Sequence, residues 1–325
     1  MWKVFITRRI PDEVTDLITP HAEVNIWEEE NTPPREEFLR RISDIDGLML
    51  WGADHIDGIT MDAAPRLKVI ANIAVGYDNI DIEAAAERGI RVSNTPGVVT
   101  DSTADLTFAL MLAISRRIVE TVNLTTKGSW KMWGPMEVLG RDIHHKTLGI
   151  IGLGEIGSAV AKRAKGFLMR VVYHDIQRRS DEAELGVEYI EDIPTLLGIS
   201  DFVSLHVTLN RETTHLIGAK ELSLMKPTAV LVNASRGKVV DQQALYQALK
   251  RKHIWGAAID VTEEEPIPTD DPLLTLDNII ITPHIGTQTR ETGVRMSVLA
   301  AENLIAGLNG EPMTNCVNCQ LLGER

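Results

Sequence analysis

The stretch TLGIIGLGEIG, residues 147–157, restricts the fold more than any other part of this 325-residue chain. A short apolar run meets Gly152, Gly154 and Gly157, spaced G-x-G-x-x-G, and the helical pattern IGSAVAKRAKGF follows. Each glycine has its own reason to lack a side chain: a tight turn, close approach of a pyrophosphate, and packing of the helix on the strand. The N–H groups of Glu155 and Ile156 open that helix and face the phosphates, because a helix start carries unsatisfied donors and a positive dipole end. Asp175 ends the next apolar run, VVYHD, close to the roughly 20-residue spacing at which a carboxylate meets the adenosine ribose. A carboxylate there accepts from both ribose hydroxyls and repels a 2′-phosphate, which favours NAD. Arg178 and Arg179 follow, either as a solvated basic turn or as partners for such a phosphate, so NADP stays open.

This fingerprint usually opens a chain or a domain, yet 146 residues precede it. Those residues alternate too. KVFIT (3–7), AEVNIW (22–27), GLMLW (47–51), LKVIANIA (67–74) and IRVSN (90–94) read as strands. PDEVTDLI, PREEFLRRI, TMDAA and DIEAAAERG read as helices between them. Strict alternation predicts a parallel sheet covered by helices. This first unit has no glycine-rich phosphate loop of its own.

TDSTADLTFALMLAISRRIVETV (100–122) predicts one long helix, capped by Asp101 or Ser102, that can serve as a connector between domains. After a Trp- and Gly-rich loop, strands are expected at 147–152, 169–175, 201–207, 228–235, 255–261 and 278–285, and a last helix at 290–310. The fold class is therefore α/β, with two doubly wound parallel-sheet domains.

With 33 basic and 46 acidic side chains the net charge is −13, which argues against nucleic acid or an anionic membrane as partner. No apolar run reaches the length of a membrane span, and the N-terminus lacks the pattern of a signal peptide, so a cytoplasmic location is expected. Cys316 and Cys319 form a C-x-x-C without a second ligand pair for zinc, so no metal is expected and the thiols are read as reduced.

Three later apolar runs end in polar groups, NASRGKVVD (233–241), DVTEEEP (260–266) and TPHIG (282–286). Ligands of a doubly wound sheet bind outside the carboxyl ends of its strands, so Arg236, Glu265 and His284 converge near the nicotinamide. Hydride reduction of a ketone needs an acid for the new alkoxide, and histidine titrates in the right range. A neighbouring carboxylate orients the imidazole, and an arginine fork holds a carboxylate or the reacting carbonyl oxygen. Singly, each has a plainer reading: a surface ion pair, one of a solvated acidic run, a histidine near a sheet end.

NIAVGYDNID, NTPGVVT, TADL, DIHHKTLGIIGLGEIG, NASRGKVVD, EEEP and TPHIGTQT occur in an order that resembles the D-isomer-specific 2-hydroxyacid dehydrogenases over nearly the whole chain. Within that family DIHHKTLGI and NCVN look most like bacterial reductases of glyoxylate, hydroxypyruvate and 2-ketogluconate. The resemblance implies a Rossmann NAD domain (101–287) inserted in a flavodoxin-like substrate domain (1–100 and 288–325), with the active site in the cleft. It implies Arg236 as substrate anchor, Glu265 as partner carboxylate and His284 as acid/base. Backbone N–H groups of Val75 and Gly76 would hold the substrate carboxylate. Thr103, Val207, Thr208, Ala234, Ser235, Arg236, Asp260 and Gly286 would border the cofactor.

A homodimer built on the cofactor domains is also implied, with Trp133 of the loop GSWKMWGPM (128–136) reaching the partner's site or simply covering its own subunit. Trp51, in LMLWGAD (48–54), either narrows the substrate pocket or fills the end of the sheet. Thr262, Thr208 and Thr287 depart from the family's usual Phe, Pro and Ser or Gly, which bears on fine specificity. Val75 stands where the related phosphite dehydrogenases carry Lys. The family also contains NAD(H)-sensing corepressors, which can keep the same three residues and form the alternative to an enzyme.

Overall fold

The computed structural model describes residues 1–29, 31–130 and 138–323 and divides into two compact units, Met1–Val99 with Gln288–Arg325, and Thr100–Thr287. The first unit alternates β1 (Trp2–Ile6), α1 (Asp12–Ile18), β2 (Ala22–Ile26), α2 (Arg35–Ile42), β3 (Gly47–Trp51), α3 (Gly58–Asp62), β4 (Val69–Ile73), α4 (Ile82–Glu87) and β5 (Arg91–Ser93). Its strands pair in the order β2-β1-β3-β4-β5, all parallel, the flavodoxin-like winding. The inner strand β4 is buried throughout and is apolar apart from Asn72, whereas the edge strand β2 alternates between buried or half-buried and exposed residues.

The second unit begins with α5 (Thr100–Ser115) and α6 (Ile118–Thr126). There follow β6 (Thr147–Ile151), α7 (Glu155–Gly166), β7 (Arg170–His174), α8 (Glu182–Leu185), β8 (Val187–Tyr189), α9 (Ile193–Ile199) and β9 (Phe202–Leu205). The unit ends with α10 (Ala219–Leu224), β10 (Val230–Asn233), α11 (Gln242–Lys250), β11 (Gly256–Ile259) and β12 (Ile279–Ile281). The order β12-β11-β10-β9-β6-β7-β8, all parallel, is the Rossmann winding with one strand added, and it reverses between β6 and β9. One face packs on Phe108, Met111 and Val160, from α5 and α7; the other packs on Leu196, Leu222 and Leu245, from α9, α10 and α11. Carboxylates cap several starts: Asp192 accepts from Thr195 N and Asp241 from Ala244 N.

Two expectations need correction here. The long helix predicted over 100–122 is broken after Ser115, whose carbonyl accepts from Arg141 N at 2.7 Å, and Arg117 turns left-handed with φ 52°. A partner twenty-six residues away replaces the next helical turn, and no local pattern announces it. The helix starts at Thr100, so Asp101 lies inside the first turn, where it pairs with Arg163 at 3.1 Å.

The second correction concerns the cysteines. After α12 (Arg290–Asn309), which packs Ala300, Ala301, Leu304 and Leu308 into the first unit and ends at left-handed Gly310, the chain folds back on β5. Val317 N donates to Val92 O at 2.8 Å, and fully buried Asn318 accepts from Val92 N and donates to Ile90 O. This turn brings the Cα atoms of Cys316 and Cys319 to 5.6 Å, and the two are joined in a disulfide rather than held as thiols.

Candidate active site

All strands of the seven-stranded sheet are parallel, so the loops after β7, β6, β9, β10, β11 and β12 lie side by side along one edge. At about 4.8 Å per strand the row from β7 to β11 spans about 19 Å. Asp175 stands at one end of this row and Arg236, Glu265 and His284 at the other.

The glycine loop is built as its spacing demands. Gly152 has φ +90°, and a Cβ there would lie 2.8 Å from the His206 carbonyl; one at Gly157 would lie 2.2 Å from the Gly152 oxygen. A Cβ at Gly154, the cap of α7, would meet nothing of the chain within 4 Å, so its requirement is for something outside the chain. The N–H groups of Glu155 and Ile156 point out of the first turn of α7. The Glu155 carboxylate is turned aside onto the Thr100 hydroxyl. Asp175 accepts from Leu153 N and from Ile176 N, both at 2.7 Å, which ties its carboxylate to the glycine loop and leaves further lone pairs. This donor set fits a dinucleotide: backbone N–H groups for the pyrophosphate and a carboxylate for the ribose.

Arg178 and Arg179 lie at the surface, Arg178 67% exposed, and both are paired with neighbouring carboxylates. Arg178 forks onto Glu182 at 2.8 and 2.9 Å, and Arg179 forks onto Asp181 while donating to Leu153 O at 3.0 Å. Val207 and Thr208 follow β9 beside Gly152, and Thr103 lies next to Gly286, where a Cβ would be 3.6 Å from its side chain. His206 shares its Nε2 with the Ser204 hydroxyl at 2.7 Å, while its Nδ1 is buried and without a partner among the described residues. Burial lowers its pKa to about 4, so it is a neutral strand-end residue.

At the other end Glu265 Oε2 lies 2.7 Å from His284 Nδ1. The carboxylate also accepts from Thr262 N at 3.1 Å. Burial pushes its pKa up, but the His284 hydrogen bond and charge, the Thr262 N–H and the Arg236 guanidinium outweigh that and hold it below the usual carboxylate range. His284 itself is left-handed, with φ 55°, a conformation costly for a residue with a Cβ. Asp260 sustains it: its backbone oxygen accepts from His284 N, and its buried carboxylate accepts from Ile285 N, Gly286 N and the Thr282 hydroxyl. Asp260, expected to border the cofactor, thus spends its carboxylate on the loop that carries His284.

Two residues of the Arg236 loop escaped the sequence reading. Buried Asn233 accepts from the Ser235 N–H and hydroxyl and donates to Arg236 O, closing the turn after β10. Gly237 lies so close to the next loop that a Cβ would be 1.9 Å from Thr262 O. The signal for both is a polar residue ending an apolar strand just before S-R-G, a stretch that draws attention first to its arginine. Ala234 and Ser235 share this turn.

Trp51, Val75 and Gly76 belong to the other unit, at the carboxyl ends of β3 and β4. The Val75 and Gly76 carbonyls accept from Asn94 Nδ2 at 2.7 Å and Asn72 Nδ2 at 2.9 Å. Neither N–H of the pair has a partner among the described residues. Asp54 accepts from Trp51 N and the Thr7 hydroxyl, fixing the turn after β3, and the Trp51 indole N–H is buried without a partner among the described residues. Trp133 lies outside the described residues. Among the described residues no group of His, Cys, Asp and Glu could hold a metal, and no helix is long and apolar enough to cross a membrane.

The family model for the D-isomer specific 2-hydroxyacid dehydrogenase NAD-binding domain matches residues 108–286, the span that holds the glycine loop, Asp175, Arg236, Glu265 and His284. A glyoxylate reductase of Korarchaeum cryptofilum is 51% identical over 99% of this chain and 98% of its own length. A solved protein of Thermus thermophilus superposes with TM-score 0.91 at 45% identity, covering 97% of this chain and 99% of its own. An NADPH-dependent glyoxylate/hydroxypyruvate reductase from Sinorhizobium meliloti, solved with NADP and malonate, has TM-score 0.86 at 29% identity and covers 99% of this chain and 98% of its own. With two parallel-sheet units, a built dinucleotide loop and these relatives, the chain belongs to the D-isomer specific 2-hydroxyacid dehydrogenase family, oxidoreductases with an NAD-binding domain.

Proposed function

We propose that this chain reduces a small 2-oxo acid, glyoxylate, hydroxypyruvate or 2-ketogluconate, to the D-2-hydroxy acid, with NADH as reductant. The observation that carries the reading is the 2.7 Å contact between Glu265 and His284 at adjacent strand ends. With Nδ1 engaged by the carboxylate, His284 offers Nε2 to the carbonyl oxygen of the acid and delivers the proton there. Glu265, ionised at neutral pH, orients the ring and offsets imidazolium charge. Arg236 anchors the acid through its guanidinium, and the Val75 and Gly76 N–H groups receive its carboxylate. Trp51 limits the size of the acid. The bound cofactor supplies the hydride. In this reading residues 1–100 and 288–325 handle the acid and residues 101–287 the dinucleotide.

NADH is favoured over NADPH because a carboxylate at Asp175, tied to the glycine loop, would repel a 2′-phosphate, and Arg178 and Arg179 are paired with neighbouring carboxylates. A cytoplasmic site of action goes with dependence on that cofactor. The protein acts as a homodimer through the cofactor unit: α6 buries none of its residues, and Ile118, Val119 and Val122 on it are exposed, with Trp130 and Leu139 nearby in sequence. NADH and NADPH oxidation measured with a panel of 2-oxo acids tests the activity, and light scattering at assay concentration tests the dimer. Turnover with none of the acids, or a monomer, removes the corresponding reading.

A further inference from the structure

The loop that carries Glu265 is closed on its inner side by its own atoms, Thr262 N on Glu265 and the Thr262 hydroxyl on Glu264 O. Its outer side is held by residues with no part in the chemistry. Glu263 N donates to Gln242 Oε1 at 3.0 Å, and Gln242 N donates back to Glu263 Oε1 at 2.9 Å. Gln242 is the first residue of α11, so the Glu263 carboxylate also sits at the positive end of that helix. The same oxygen lies 3.1 Å from His215 Nε2. His215, left-handed at φ 52°, donates its own N–H to Lys238 O at 2.7 Å, two residues past Arg236. Gln242 Nε2 continues the chain of contacts to Asp271 at 2.7 Å.

The loop between β10 and α11 carries Arg236, and the loop after β11 carries Glu265. Glu263 is bonded to both ends of this relation: it belongs to the second loop and grips the helix that terminates the first. His215 touches both loops independently. We propose that Glu263, with Gln242 and His215, is a positioning clasp that sets the spacing of Arg236 from the Glu265–His284 pair. The clasp rests on the reading of that pair as the acid/base machinery. Glu263, Gln242 and His215 border a cavity of about 330 Å³, so water replaces a truncated side chain here and a local shift is the consequence, not a collapsed core. Displacing a reacting group by an ångström costs as much as about a hundredfold in rate.

The test compares Glu263→Ala, Glu263→Gln and Gln242→Ala in reduction of glyoxylate, with NADH affinity measured by fluorescence. Glu263→Ala is expected to lower kcat about tenfold, a partial displacement on that scale, with NADH affinity within about twofold of wild type. Its pH–rate profile should differ from that of wild type, because the loop that presents Glu265 to His284 has moved. Glu263→Gln keeps an acceptor for Gln242 N and should recover most of the turnover. Glu263→Ala removes the acceptor of Gln242 N and Gln242→Ala the acceptor of Glu263 N, two bonds that tie the same two loops, so the double variant should lose less than the two single losses combined. A lowered melting temperature with wild-type kcat and pH profile, or additive losses in the double variant, overturns the clasp. If Glu263→Ala does not accumulate as folded protein, Gln242→Ala decides: wild-type kcat there overturns the proposal. Wild-type turnover in His284→Asn or Glu265→Gln would remove the acid/base reading beneath it, whereas loss in those two with wild-type Glu263→Ala removes the clasp alone.

Discussion

The carboxylate of Asp260 accepts from the N–H groups of both Ile285 and Gly286, at 2.9 and 2.8 Å, and this buried side chain holds His284 in its left-handed turn. Asp260→Asn keeps the shape but replaces one acceptor oxygen with a donor that faces N–H groups. It should cost about 1–3 kcal/mol, the scale of a buried polar group left unsatisfied. Urea denaturation checks the stability, and turnover should fall further than the unfolded fraction accounts for.

Gly237 packs its Cα against the Thr262 carbonyl, at a distance that admits no side chain. Gly237→Ala should therefore push the Arg236 loop away from the Glu265 loop. The expected result is a loss of kcat/KM for glyoxylate on the order of a hundredfold, with NADH binding retained. Steady-state kinetics beside fluorescence titration of NADH separates the two quantities.

Asp175→Ala should narrow the preference for NADH over NADPH, chiefly by improving NADPH. Arg178 and Arg179 are already forked onto Glu182 and Asp181, so the variant removes a repulsion without freeing a cation. The ratio of kcat/KM values for the two cofactors is the readout. A wild-type enzyme that prefers NADPH would contradict the assignment of Asp175.

Acid should destabilise the cofactor unit through His206. Its folded pKa, about 4 because of burial, lies below the ordinary value near 6.5, so the unfolded chain takes up the proton first. Stability is complete above pH 6.5 and is lost as pH falls toward 4, by about 3 kcal/mol at most. Glu265 acts in the same direction: its carboxyl is held below its usual range, so its contribution is present above that range and disappears on further acidification. Urea midpoints between about pH 7 and pH 4.5 check this, and His206→Gln should flatten the upper part of the decline.

Most of the architecture was legible because parallel strands buried on both faces must be apolar runs, and GLMLW, TLGII and TAVLV announce themselves at nearly their true limits. Residues 187–189, three long, gave no such run, and β8 went unread. What stayed hidden depends on partners far along the chain. Arg141 ends α5 at Ser115, Asn318 ties the C-terminal turn to β5 and so sets Cys316 beside Cys319, and Thr262 forbids a side chain at Gly237. Arg236, Glu265 and His284 were legible because each follows an apolar strand. Asn233, Asp260 and Glu263 were not read as loop supports, because a side chain that holds a loop shows nothing of that in its spacing.

The central claim is that His284, oriented by Glu265, delivers the proton during reduction of a 2-oxo acid. Single-turnover reduction of glyoxylate by His284→Asn loaded with NADH, followed by loss of NADH fluorescence, tests it most directly. The account predicts a chemical step slowed by roughly a hundredfold or more, with NADH binding at wild-type affinity. A chemical step at the wild-type rate in that variant would contradict it.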